Sequence, residues 1–179
     1  KHSMPTKKSM PLLVTNGADE AMAHIASDTF TYKAKDHGKV VEMTTDYMVV
    51  EYQNPIMGPD NKSYKCEYIS LNDEIKKNSD GGFYVTIKLD TDLAVGKSFK
   101  KGDIIAYHRQ SFSNKNGESD NLAYNLGVLA KVAILNTDEG FEDSTSVSEW
   151  LSDAMTTNVV VEKDKDISKN SNVYFMAKV

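Results

Sequence analysis

The side chains in this chain best suited to chemistry are four carboxylates within six residues: Asp138, Glu139, Glu142 and Asp143. Carboxylate oxygens are hard donors of the kind a divalent cation takes, and such a pair can orient a metal-bound substrate. The same residues also suit a solvated turn and the first turn of a helix, where acids complement the helix dipole. The rest of the catalytic inventory is thin. His2, His24, His37 and His108 lie far apart with no metal-ligand spacing, and Cys66 is the single cysteine. The sequence has no phosphate loop ending in Gly-Lys-Thr/Ser and no Gly-x-Ser-x-Gly. His24 reads as a helix-face residue and His37 as a turn residue.

The elements that must position the acids come next. Val128 to Leu135 is apolar except for Lys131 and predicts a nearly buried strand, which delivers its end to the turn formers Asn136 to Gly140. Beyond Phe141, Glu142-Asp143-Ser144 predicts the opening of a helix with apolar positions Val147, Trp150, Leu151 and Ala154. Strand, acidic turn and helix start therefore follow one another inside the stretch Leu126 to Glu162.

This stretch resembles part of the β subunit of multisubunit, bacterial-type DNA-directed RNA polymerases. In that family a strand ending in Arg/Lys-Val-Ala is followed by Gly-Tyr-Asn-Phe-Glu-Asp-Ser and then Val-Ser-Glu; the matching residues are Lys131-Val132-Ala133, Phe141-Glu142-Asp143-Ser144 and Val147-Ser148-Glu149. The chain departs with Asp138-Glu139-Gly140 in place of Gly-Tyr-Asn, and with Trp150 where an arginine is usual. The resemblance implies a nucleotidyltransferase of which this chain is one part, inactive alone, lining the active centre near the RNA–DNA hybrid and the incoming NTP. It implies catalytic roles for Glu142 and Asp143, with Asp143 acting on the Mg2+ carried by the triphosphate and Glu142 tuning the local field. The tightly bound Mg2+ would belong to a β′-like partner subunit. The short loops suit a bacteriophage-encoded enzyme, working in the host cytoplasm.

Lys1 to Gly17 holds Pro5, Pro11 and little periodicity, and predicts an extended arm. Lys1-His2-Ser3-Met4-Pro5 is similar to the family's Arg-Gln-Ala-Val-Pro, which implies a nucleic-acid-facing role for Lys1, His2, Lys7 and Lys8, and implies that residues 1 and 179 are cuts within a longer β polypeptide. Residues 18–125 then predict a β module. Ala18 to Ala26 reads as a short helix with Met22, Ile25 and Ala26 on its apolar face, and Thr29 to Ala34 begins period-two alternation. Gly38 to Met43 and Tyr47 to Tyr52 read as a hairpin, which resembles a Lys-Arg-Gly-Gly-Val-Val strand, turn and Ile-Val-Ile strand in the family. Asn54 to Asn61 reads as a Pro/Gly loop, Tyr64 to Leu71 as a strand, residues 72–82 as a polar turn and Phe83 to Leu89 as a half-buried strand.

Gly96-Lys97-Ser98-Phe99-Lys100-Lys101-Gly102-Asp103-Ile104-Ile105-Ala106 places glycines where reversals need positive φ. The pattern is similar to the hinge of barrel-sandwich hybrid folds, among them biotinyl and lipoyl carriers and a module of polymerase β. The lysine-bearing tripeptides of the carriers, Met-Lys-Met and Asp-Lys-Ala, do not occur. His108 to Ala123 reads as a surface connection. Residues 126–179 form the last unit, with strands over Thr157 to Glu162 and Val173 to Val179; the resemblance makes it the approach to the double-psi β-barrel. The predicted class is mainly β (α+β).

A net charge of −5 disfavours a freestanding nucleic-acid binder, although basic runs stand at Lys7-Lys8, Lys76-Lys77 and Lys97/Lys100/Lys101. One cysteine excludes an internal disulfide framework and favours a reducing compartment. Without an apolar run of about eighteen residues, a soluble cytosolic protein is expected. Two other classes fit the residues: a non-catalytic barrel-sandwich binding or scaffold module, and a freestanding metal-dependent enzyme built on the acidic turn.

Overall fold

The computed structural model describes residues 6–11, 13–77, 84–114, 122–134, 145–158 and 160. The predicted first helix forms as α1 (Ala18–Ile25), opened by Gly17 at φ 88°. Its buried face is Asp19 and Ala23, whereas Met22 and Ile25 are exposed, so the expected apolar face is rotated. The reason lies in α1's partners. Thr15 donates its hydroxyl to the Asp19 carboxylate, the Thr31 hydroxyl donates to the Ala23 carbonyl at 2.9 Å, and the Ala23 methyl packs on Ile104, Tyr107, Phe112 and Leu122, which together hold the Asp19/Ala23 side of α1 inward.

Among the described residues ten strands follow, β1 (Thr31–Lys33), β2 (Gly38–Met43), β3 (Tyr47–Met57), β4 (Ser63–Ser70), β5 (Asp73–Lys77), β6 (Tyr84–Asp90), β7 (Ser98–Phe99), β8 (Ile104–His108), β9 (Phe112–Asn114) and β10 (Leu122–Tyr124), and then α2 (Glu149–Ala154). They pair antiparallel into two four-stranded sheets, β4-β3-β2-β7 and β1-β8-β6-β5, and the ribbon β10-β9. The chain is mainly β, as its alternating segments require.

The main core lies between the two sheets, where inward residues Val40, Met48, Val50, Tyr52 and Ile69 meet Ile105 and Ala106 of β8. A second cluster joins Ala23 of α1 to Ile104, Tyr107, Phe112 and Leu122. Strand β8 serves both cores, and for that reason all five of its residues are buried. A strand covered on both faces reads as an unbroken apolar run, as Ile104-Ile105-Ala106 does.

Several expectations are corrected by pairing that only the folded chain creates. Strand β3 runs through Pro55 into the expected loop. A register shift between Glu51 and Ile56 accommodates the proline, which has no N–H to give a ladder. Residues 73–77 of the expected polar turn form β5, because each finds an antiparallel partner on β6. The expected surface connection from His108 to Ala123 contains the β9/β10 ribbon, and Phe112, Leu122 and Ala123 are buried in it. The expected strand from Val128 is absent from residues 128–134, where Val132 is 86% and Ile134 98% exposed. Helix α2 starts at Glu149 and not at Glu142, since residues 145–148 are non-helical and the Ser148 hydroxyl accepts from the Leu151 N–H at 3.2 Å as the N-cap.

Gly96 and Gly102 stand at φ 84° and 88°, as the turns around β7 demand. No neighbour lies within 4 Å of a Cβ built at Gly102, so an added methyl there meets only the left-handed backbone. Gly102→Ala is therefore expected to lower stability by about 1 kcal/mol. A urea titration checks it, and an unchanged midpoint would contradict the backbone argument.

Candidate functional site

The structure separates the predicted site residues into two groups. Lys1, His2, Glu142 and Asp143 lie outside the described residues. Lys7 and Lys8 lie within them, and the folded arm turns both onto the end of α2. Their backbone N–H groups donate to Thr156 and Ala154 carbonyls at 2.9 and 3.2 Å. The Lys7 ammonium pairs with Asp153 at 2.6 Å, and the Lys8 ammonium sits 5.8 Å from the Trp150 ring centre. Cations at a helix C-terminus complement its dipole. Lys7 thus holds the arm to α2 as well as offering charge to solvent. The predicted arm is further tied down by a bridge from Met10 to Gly127.

The clearest concave feature is an open cleft of about 660 Å3 bounded by Lys7, β6, the turn after β8 and residues 156–158. Arg109 stands at its rim. Its guanidinium donates to Asp90 and, at 2.7 Å, to Asp92, while the Tyr107 hydroxyl donates to Asp92 at 2.6 Å. Burial opposes the charge on both Arg109 and Asp92, yet these bonds win: the guanidinium is held above its usual range and the Asp92 carboxyl below its own. Burial and the bond to Asp92 raise Tyr107. This clamp joins the end of β6 to β8. Sequence reasoning missed this clamp, because Asp90 and Asp92 meet Arg109 only once β6 and β8 pair.

His108 lines the cleft floor at 4% exposure, with Nδ1 2.8 Å from the Ser111 hydroxyl and Phe30 packed edge-on at 6.2 Å. Burial lowers its pKa from the usual 6.5. The neutral ring therefore belongs to the folded state, and the unfolded chain takes up a proton first as pH falls. Stability is expected to be full above about pH 6.5 and to decline below it, until the folded-state pKa is passed. Thermal melts between pH 7.5 and 5 check this: His108→Gln should flatten the slope, and an equal slope in both proteins would contradict it. His24 is exposed on α1 and His37 lies in a bend, as expected.

A second polar centre links the sheets. Glu67 of β4 accepts from the Tyr32 and Tyr52 hydroxyls, each at 2.7 Å, and from the Lys35 ammonium. Burial and the carboxylate push both tyrosines well above their usual range. They remain neutral donors at all physiological pH values.

Among the described residues, no three His, Cys, Asp or Glu side chains gather where they could hold a metal ion. Cys66 is free and exposed. Lys97, Lys100 and Lys101 are exposed around β7, whereas Lys76 pairs with Glu74 at 2.6 Å. No helix among the described residues is long and apolar enough to cross a membrane. No protein-family model and no curated protein matches the chain.

Proposed function

We propose that this chain is part of the β subunit of a multisubunit, bacterial-type DNA-directed RNA polymerase, of the kind a bacteriophage would encode. One observation carries the reading beyond the motif itself. Residues 128–134 form no strand, and Leu129, Val132 and Ile134 in them are exposed, in the stretch that precedes Phe141-Glu142-Asp143-Ser144 in sequence. Such a segment needs polypeptide beyond the described residues to cover it, as a piece of a large assembly does. The positive-φ glycines 96 and 102 around Lys97 to Lys101 are what a barrel-sandwich hinge would need.

On this reading Glu142 and Asp143 supply carboxylate oxygens, donors of the type Mg2+ prefers, toward the metal that accompanies the incoming NTP. That ion would neutralise developing charge on the phosphates. The protein's own contribution is to hold the acids at the edge of the assembled centre. The tightly bound Mg2+ is assigned to a β′-like subunit, and Lys1, His2, Lys7 and Lys8 are assigned to the nucleic acid, Lys7 from its pair with Asp153.

The test is affinity purification of the tagged chain from its native or infected cell, with RNA synthesis measured in the eluate. Recovery of a large partner with template-directed synthesis supports the proposal. Recovery without either would return the chain to a binding or scaffold module.

A further inference from the structure

A smaller pocket, of about 280 Å3, is lined by residues of both four-stranded sheets and shares none of them with the cleft. Its deepest lining is apolar. Ile69 of β4 and Ile87 of β6 are each 3% exposed, and Leu89 packs against the main core beside them. Tyr32 of β1 and Tyr68 of β4 add two aromatic walls. Both rings are fixed in the free protein: the Tyr32 hydroxyl donates to Glu67 at 2.7 Å, and Tyr68 packs on Tyr47 with ring centres 5.0 Å apart. Tyr68 nevertheless stays 59% exposed, so much of its ring is left uncovered.

The charged residues lining the pocket are Asp28, Glu74 and Lys76. Glu74 and Lys76 pair at 2.6 Å, whereas Asp28 has no cationic partner among the described residues. The net charge is therefore negative. An anion would meet Asp28 and Glu74. A bare divalent ion would find a single unpaired carboxylate beside apolar walls, far short of the oxygen shell it needs. A cation with an apolar body suits every surface: tyrosine faces attract it through the ring quadrupole, the aliphatic side chains cover its methyl groups, and Asp28 balances its charge. Lys35, the cation already 5.7 Å from the Tyr32 ring centre, does not line the pocket. The volume falls just below the range of about 300–1,000 Å3 typical of drug-sized ligands, which sets the size of the occupant as small.

We propose that this pocket binds a small organic ammonium ion, its methyl or methylene groups against Tyr32, Tyr68 and Ile69 and its charge toward Asp28. The two rings supply selectivity for a cation over a neutral molecule of the same shape. The inference is independent of the polymerase reading.

The probe is choline chloride, titrated to millimolar concentration into the isotopically labelled 179-residue chain, with sodium chloride holding the ionic strength constant. Signals of Tyr32, Tyr68, Ile69 and Ile87 should shift together along one binding curve. The uncharged analogue, with a tert-butyl group in place of trimethylammonium, should bind about threefold or more weakly than choline. Tyr68→Leu keeps an apolar side chain at an exposed position and removes the ring, so it should weaken choline by about threefold and leave the analogue nearly unchanged. Tyr68→Phe should bind choline as wild type does, and Asp28→Asn should bind it more weakly. Should Tyr68→Leu fail to fold, the choline and analogue affinities of the wild type decide. Three results would overturn the proposal: no shift at millimolar choline, equal affinity for choline and its analogue, or choline affinity unchanged in both Tyr68→Leu and Asp28→Asn.

Discussion

Glu67→Ala should lower the unfolding free energy by about 3 kcal/mol, because it leaves the buried Tyr52 hydroxyl and the half-buried Tyr32 hydroxyl without their acceptor. The size of the effect follows from where the carboxylate stands. It bridges β1, an edge of one sheet, to β3 and β4 of the other, over a core in which Tyr52 is 1% exposed. Tyr52 also packs edge-on against Phe99 at 6.0 Å, so its ring remains buried when the carboxylate is lost. An unsatisfied donor inside the protein forfeits its full solvation, whereas removing donor and acceptor together is nearly neutral. Tyr52→Phe alone should therefore cost about 1 kcal/mol, and the double variant Glu67→Leu with Tyr52→Phe less than Glu67→Ala. Denaturant unfolding of the four proteins gives the answer. Equal midpoints for wild type and Glu67→Ala would show that the hydroxyls find other partners and that the link between the sheets is energetically idle.

On the proposed polymerase reading, replacing Glu142 and Asp143 together by alanine in the assembled enzyme should slow nucleotide addition by about 100-fold, the scale on which misplacing a reacting group is felt. Assembly should survive. The following residues, 145–148, are exposed and non-helical, and α2 takes its N-cap from Ser148, so neither acid is needed to start that helix. Asp143→Asn separates charge from shape: it keeps the volume and removes the anionic oxygen, and the Mg2+ concentration required for half-maximal synthesis should rise. Single-nucleotide addition on a primed template, read against Mg2+ and NTP concentration, measures both effects. An elongation rate equal to wild type in a fully assembled double variant would remove these residues from the site.

Local pattern determined much of the β module. Period-two alternation in Tyr47 to Tyr52 and in Phe83 to Leu89 marked strands that bury alternate residues against a core, whereas Gly38 to Met43 and Tyr64 to Leu71 form strands without alternating burial. Glycines 96 and 102 announced their turns because no other residue adopts their backbone cheaply. The motif Phe141 to Ser144 was legible as letters only, and its geometry lies outside the described residues. Tertiary structure decided the rest. Strand β5 exists because β6 supplies its ladder, and Asp73 to Lys77 has no apolar pattern of its own. His108 and Phe112 are buried because α1 and the β9/β10 ribbon close over the end of β8, a contact between segments some eighty residues apart in sequence. The converse case is Val128 to Ile134, whose apolar letters predicted burial and whose side chains stand exposed. Hydrophobicity states that a segment must be covered, and only a partner strand or sheet at the right distance determines whether it is.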